Sequence, residues 1–280
     1  MNPKLFRRAA GILLLGLALG VEPTNESFSE DIVGEYVLSP RFPSTENMML
    51  MYMDCGQVDY SDMKPLKTPE EVSQGVTKRR NLEAVLRQYF IQETRGMMLD
   101  TSKSLYDPLG GKGRFKNNFN DPRFIDGRHK EKHKGIDIFA KKGEPIYSPV
   151  NGVVVASSDD WEGHWDRRKG LVYESGGLSR ISGNGVIIFN PLDTLYYFMI
   201  HMNHVFAETG EIVEKGEIIG TVGRTGNASS PYSPTHLHTA VKDEGFSCGI
   251  NGPLVPINPY RELVAARRAF DIENSQTDSR

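Results

Sequence analysis

Cysteine is scarce in this sequence. Cys55 and Cys248 are the only two, and their spacing fits no cysteine-based zinc site. In an exported chain they are expected to pair, which would stabilise so long a loop by up to about 5 kcal/mol. Charge of one sign is not in excess either: 33 Lys+Arg against 36 Asp+Glu gives −3 over 280 residues. That excludes the net basic footprint of a general nucleic-acid binder. No apolar run reaches the roughly twenty residues of a bilayer-spanning helix. There is no GxSxG, no P-loop and no GxGxxG, so the readings those motifs carry fall away. Repeats of domain-building length and low-complexity tracts are also missing. Hydrophobic residues at 38% and charged residues at 25% describe neither a polytopic membrane protein nor a strongly disordered chain.

What is present begins with an export pattern. Lys4, Arg7 and Arg8 precede thirteen uncharged residues, Ala9–Val21. Ala18 and Gly20 are small residues placed for cleavage after Gly20, so residues 1–20 are expected to be a signal peptide. No cysteine follows that would take a lipid anchor. The mature chain is then expected to be exported, with the periplasm favoured over the extracellular space, and to carry no transmembrane span. Residues 21–100 form an N-terminal extension, with a Met-rich patch (Met48, Met49, Met51, Met53) and a helical pattern over residues 81–99 (Leu82, Val85, Leu86, Tyr89, Phe90). Residues 103–130 read as loop. The main domain is expected over 101–265 and a tail over 266–280.

From Gly135 the pattern becomes short apolar runs punctuated by glycine. Strands are expected near Gly135–Phe139, Pro145–Tyr147, Gly152–Ala156, Gly185–Phe189, Thr194–Met202, Glu211–Val213, Glu217–Val222 and His236–Val241. The fold class is mainly β, an antiparallel sheet or sandwich with a partly helical N-terminal extension. Asp159–Gly183 reads as a long charged insertion between two strands, and Tyr260–Phe270 as a terminal helix.

Seven histidines offer chemistry: His129, His133, His164, His201, His204, His236 and His238. In His133-Lys-Gly-Ile-Asp137, strand parity puts His133, Gly135 and Asp137 on one face, with Ile136 and Ile138 towards the core. In His236-Leu-His238 both imidazoles share a face. His201 shares parity with Tyr197 and Met199. His129 and His133 stand four apart, but HKEKH is not the helical HExxH motif. His129, His164 and His204 are expected to be non-ligands. Catalytic zinc takes three N/O protein ligands and leaves a place for water. His133, Asp137 and His238 supply two imidazoles and a carboxylate, which leaves His201 and His236 for proton transfer and oxyanion stabilisation.

At these residues the chain resembles the LytM/lysostaphin-type zinc metallopeptidases, peptidase family M23. The resemblance runs in order through HKGIDIFAKKGEPIYSPVNGVVVA (His133–Ala156), NGVIIF (Asn184–Phe189), His201, GEIVEKGEIIGTVGRTGN (Gly210–Asn227), HLH (His236–His238) and INPY (Ile257–Tyr260). It covers about residues 115–262. It implies one zinc per chain held by His133, Asp137 and His238, with His201 and His236 as catalytic residues. It further implies a groove on an antiparallel sheet, peptidoglycan as partner, and cleavage of peptide bonds in its stems or cross-bridges. Three departures bear on substrate choice: Met199 where the family often has Tyr, Thr239-Ala240 where it often has Phe-Glu, and the Asp159–Gly183 insertion. Degenerate members of the family act as silent regulators of other wall hydrolases, which is the alternative function. A carrier-domain hairpin is a third reading of Gly210–Val222, opposed by the export pattern and the HLH motif.

Overall fold

The computed structural model describes residues 83–84, 86–102, 104–125, 129–244 and 254–277. The expected signal peptide, the Met-rich patch and both cysteines lie outside the described residues. A short helix, α1, covers the described residues 83–84 and 86–93 and ends before the expected residue 99. Gly96 at φ +84 closes the turn after it, a left-handed conformation that glycine adopts without steric cost. Leu86 and Phe90, one helical turn apart, are both buried. Tyr89 donates to the carbonyl of Gly210, and buried Tyr196 donates to Glu83, so α1 is fastened to the β domain.

The strands follow in chain order. β1 (Pro122–Ile125) and β2 (His129–Lys132) make a hairpin, and β3 (Ile136–Phe139), β4 (Pro145–Tyr147) and β5 (Gly152–Ser158) come next. A second hairpin is β6 (Glu162–Asp166) with β7 (Gly170–Ser175). Then come β8 (Gly185–Asn190), β9 (Leu195–Ile200), β10 (Met202–Val205), β11 (Ile212–Val213), β12 (Ile218–Val222), β13 (His236–Glu244) and β14 (Leu254–Ile257). Helix α2 (Tyr260–Thr277) ends the described chain.

The main sheet is antiparallel and seven-stranded, in the order β11-β5-β8-β9-β13-β14, with β3 also on β13. A three-stranded sheet, β10-β12-β4, packs against it. The two share one core: Ile146, Met202, Ile219 and Val222 from the small sheet meet Ile136, Ile138, Ile188, Met199 and Leu237 from the large one. Each such side chain, taken fully from water, contributes about 1.5–3 kcal/mol. The mainly β, antiparallel expectation is met.

β13 is the organising strand. One edge pairs with β9; the other pairs first with β3 and then with β14. Its alternation is strict around the HLH motif. Leu237 enters the core, while His236 and His238 share the opposite face.

Four expectations are corrected. The stretch read as loop over 103–130 contains β1 and the first half of β2. Its pairs mix polar and apolar residues (Pro122 opposite Lys132, Arg123 opposite Glu131, Phe124 opposite Lys130, Ile125 opposite His129), so no apolar alternation marked it. The Asp159–Gly183 insertion is mostly the β6–β7 hairpin. Asp166 turns it by accepting from the amides of Arg168 and Lys169, both at 2.7 Å. The run Thr194–Met202 is broken at His201, where φ is +64. The terminal helix runs past Phe270 to Thr277, into the expected tail. Asn258 and Pro259 begin that helix: the Asn258 side chain accepts from the Tyr260 amide at 3.1 Å, and proline suits the first helical position. Arg267 then locks the helix to the domain by pairing with buried Asp107, donating to the carbonyls of Lys112 and Gly113, and lying over Phe115.

Candidate active site

His133 comes directly after β2 and is stitched to the base of the first hairpin. Its amide donates to Asp121 and its carbonyl accepts from Asn120, both at 2.8 Å. Asp137 lies in β3, opposite His238 of β13. Strand parity therefore explains Asp137 but not His133, because β3 begins only at Ile136. Gly135 makes the close approach possible. A Cβ there would stand 2.4 Å from the Thr239 carbonyl oxygen and 2.7 Å from Nε2 of His238.

Three donor atoms converge. His133 Nε2 is 2.9 Å from His238 Nδ1, and Asp137 Oδ1 is 3.0 Å from each. His133 donates through Nδ1 to the Asn118 carbonyl at 2.9 Å, which leaves its Nε2 with the lone pair facing the other two donors. Two imidazole nitrogens and a carboxylate oxygen in a near-equilateral triangle are the donor set that a zinc ion takes. Bonds of about 2.0–2.1 Å in tetrahedral geometry would set the donors about 3.3–3.4 Å apart. A small outward relaxation of this triangle therefore admits the ion, and the residues present fit it.

The remaining two histidines flank the triangle. The His201 ring lies 5.1 Å from that of His236 and 5.9 Å from that of His238. Continued strand parity would have sent His201 into the core with Tyr197 and Met199. Its positive φ turns it to the site instead, a conformation that costs a non-glycine residue of order 1–3 kcal/mol. The surroundings hold it there. The His201 amide donates to Ser182 and the Met202 amide to Asn184, each at 3.0 Å. Nδ1 of His201 donates to the Thr225 carbonyl at 3.0 Å, and Nδ1 of His236 to the Pro234 carbonyl at 2.7 Å. Both rings are thus fixed in the tautomer that leaves Nε2 as the basic nitrogen.

Burial governs the charges. It drives His201 well below the usual imidazole range, with His236 and His238 adding to the effect. It lowers His236 too, against the opposing pull of Asp137. His238 falls to about 4 for the same reason, again opposed by Asp137. Burial would raise Asp137, but hydrogen bonds with His133 and His238 and the charge of His238 and His236 hold it well below the usual carboxylate range. The site thus sets an ionised carboxylate beside three imidazoles, His201, His236 and His238, that burial favours in the neutral form.

Two of the other histidines stay outside the cluster. His164 faces Glu174 on the second hairpin and His204 faces Asp159, both largely exposed. His129 belongs to β2. Residues missed by sequence reasoning are Asn118 and Arg123, which touch Asp137, and Thr225 and Pro234, which act through carbonyls. Backbone carbonyls leave no side-chain signal. Asn118 and Arg123 could have been sought as partners for the carboxylate's second oxygen. Two of the three departures from the family pattern are buried: Met199 is in the core, and Thr239 and Ala240 are within the sheet. The β6–β7 hairpin is the departure that reaches the surface.

These features define a β-sheet domain with a metal-type His/Asp/His cluster and two further imidazoles. The family model described as Peptidase family M23 matches residues 167–249, which hold His201, His236 and His238. Over that stretch the chain is similar to the M23 peptidases. It is 30% identical over 169 residues to the peptidoglycan DD-endopeptidase ShyC of Vibrio cholerae, covering 60% of this chain and 32% of that protein. It is 32% identical over 138 residues to an L-Ala--D-Glu endopeptidase of Bacillus subtilis, covering 47% of this chain and 35% of that one. The chain thus spans about a third of the length of these curated relatives. The catalytic domain of lysostaphin from Staphylococcus simulans superposes with a TM-score of 0.39 at 20% identity, over 57% of this chain and 98% of that one.

Proposed function

We propose that this chain is a zinc-dependent endopeptidase that hydrolyses peptide bonds in peptidoglycan stem peptides or cross-bridges. The observation that carries the reading is the triangle of His133 Nε2, Asp137 Oδ1 and His238 Nδ1 beside two imidazoles whose Nδ1 atoms are already engaged. The M23 similarity and the named activities of the Vibrio and Bacillus relatives support the substrate class.

His133, Asp137 and His238 would hold the metal. Zinc, when bound, lowers the pKa of a water towards neutrality and polarises a carbonyl. The chain's own residues do the proton work. Neutral Nε2 of His201 or His236 accepts a proton as the water attacks the peptide carbonyl. The imidazolium so formed is a donor at that same atom. It can hydrogen-bond the developing oxyanion and then pass the proton to the leaving amine. Burial suits both roles, because it keeps the imidazoles neutral and excludes competing water.

Peptidoglycan lies outside the cytoplasmic membrane, so the reading places the chain's work after export, in the periplasm. Among the described residues no helix is long and apolar enough to cross a membrane. The test is digestion of purified peptidoglycan by the full chain, zinc-loaded and chelated, with mass spectrometry of the released muropeptides. Zinc-dependent release of products cut at one peptide bond is expected. A fully zinc-loaded chain that releases none would favour the silent regulator.

A further inference from the structure

Arg123 stands on β1 and reaches Asp137 from outside the donor triangle. Its Nη2 donates to Oδ2 of Asp137, while Oδ1 of the same carboxylate faces His133 and His238 at 3.0 Å. The two carboxylate oxygens therefore have separate partners, one inside the triangle and one outside. Asn118 approaches the outer oxygen as well, at 3.4 Å. The guanidinium is not placed for its own satisfaction: its Nε is buried with no hydrogen-bond partner among the described residues. Asp137 is 4% exposed along its side chain and Arg123 42%, so the arginine closes the carboxylate off from solvent on its outer side. The same hairpin delivers both residues. β1 brings Arg123, β2 runs straight into His133, and the turn before β1 brings Asn118, whose carbonyl orients the His133 ring.

A carboxylate beside a bound cation can give it one oxygen or both. The second oxygen would add a donor and fill space that a substrate or water must use. An ion pair with a guanidinium is directional and strong enough to hold that oxygen away. We infer that Arg123 is a positioning residue for the metal centre: it occupies the outer oxygen of Asp137, so that the carboxylate offers a single donor atom. The inference rests on the metal-centre reading above, and acts through Asp137 rather than on substrate.

The test uses the full chain with cobalt(II) in place of zinc, for the native protein, Arg123→Gln and Arg123→Lys. Visible d–d absorption reports the donor count at cobalt, chelator competition reports affinity, and melting of the metal-free chain reports fold integrity. The native chain is expected to give the intense band of four-coordinate cobalt. Arg123→Gln should weaken that band, as the freed oxygen joins the ion, and should change metal affinity by about 10–100-fold, the scale seen when an outer partner of a ligand is lost. Arg123→Lys keeps a cation at the outer oxygen and should recover most of the native band. An Arg123→Gln chain with the native band and native affinity would overturn the inference. So would a variant altered only in the melting of its metal-free form, because Arg123 would then serve only to hold the hairpin. Failure of the native chain to bind cobalt would overturn the metal-centre reading itself, and this inference with it.

Discussion

Gly135→Ala is the smallest change expected to disrupt the candidate site. The added Cβ would stand 2.4 Å from the Thr239 carbonyl oxygen, 2.7 Å from His238 Nε2 and 2.9 Å from His238 Cε1. Contacts of this kind do not fall below 3.0 Å, so the backbone neighbour must retreat by at least about 0.6 Å, and overpacking of that order costs about 1–3 kcal/mol. The neighbour cannot retreat alone. Thr239 is paired with Ile136 on one side and Met199 on the other, within the strand that carries both His236 and His238. Moving it moves the triangle; sparing it rotates the His238 ring instead. Either way a donor atom shifts by a sizeable fraction of an ångström, and a misplacement of about 1 Å can cost roughly 10²-fold in rate. The metal-free chain should melt a few degrees lower, at about 2–4 °C per kcal/mol for a domain of this size. Zinc affinity, measured by chelator competition, and muropeptide release should fall together. A Gly135→Ala chain with native melting, native zinc affinity and native release would refute the packing argument.

The other predictions are simpler. His133→Ala, Asp137→Ala and His238→Ala should each lose bound zinc on dialysis. By contrast, His201→Ala and His236→Ala should keep it while losing about 10²-fold or more in muropeptide release; one of the latter pair shedding zinc as readily as the first three would refute the division of roles. Arg267→Ala leaves Asp107, 2% exposed, without its charged partner and should cost about 3 kcal/mol, read as a lower midpoint in urea; an unchanged midpoint would show that α2 is held by its apolar packing and not by this pair. Asp100 is lowered to about 2, first by its hydrogen bond from Lys215. Its folded value lies below its unfolded one, so its contribution is present above pH 3.8 and is lost as pH falls through about 2. Asp100 is exposed, so that contribution is small. The difference in stability between the native chain and Asp100→Asn should shrink over that acid window, and a difference independent of pH there would contradict the pairing.

Much of this was legible in the residues, and the illegible parts share a cause. Ile136 and Ile138 alternate with Asp137, and Leu237 alternates with two histidines. Period-two patterning therefore revealed which strands face the core and which side chains remain outside it. The other core strands from Pro145 to Val241, β10 excepted, were visible as short apolar runs bounded by glycine and other turn residues. His201 was visible as a candidate, but its direction was not, because a single left-handed residue reverses what parity predicts. The β1–β2 hairpin had no apolar stripe to betray it. Charged residues of β2 stand opposite most of β1, Lys132 opposite Pro122, Glu131 opposite Arg123 and Lys130 opposite Phe124, and the hairpin's role is to deliver His133 and Arg123. The β6–β7 hairpin buries little beyond Leu171. Patterning reads burial, and elements that serve the site without entering the core escape it.

The pairing of β13 with β3 has a consequence for how this domain can fail. His238 and Asp137 are cross-strand neighbours, and Leu237, paired with Ile138, is locked into the interior. Sliding β13 by a single position would bury both imidazoles and expose the leucine, so no intermediate register retains a usable centre. Damage to this ladder should silence the molecule all at once, without a gradual decline in proficiency. Slow amide exchange along β13 would be a direct gauge of how much intact centre a preparation contains.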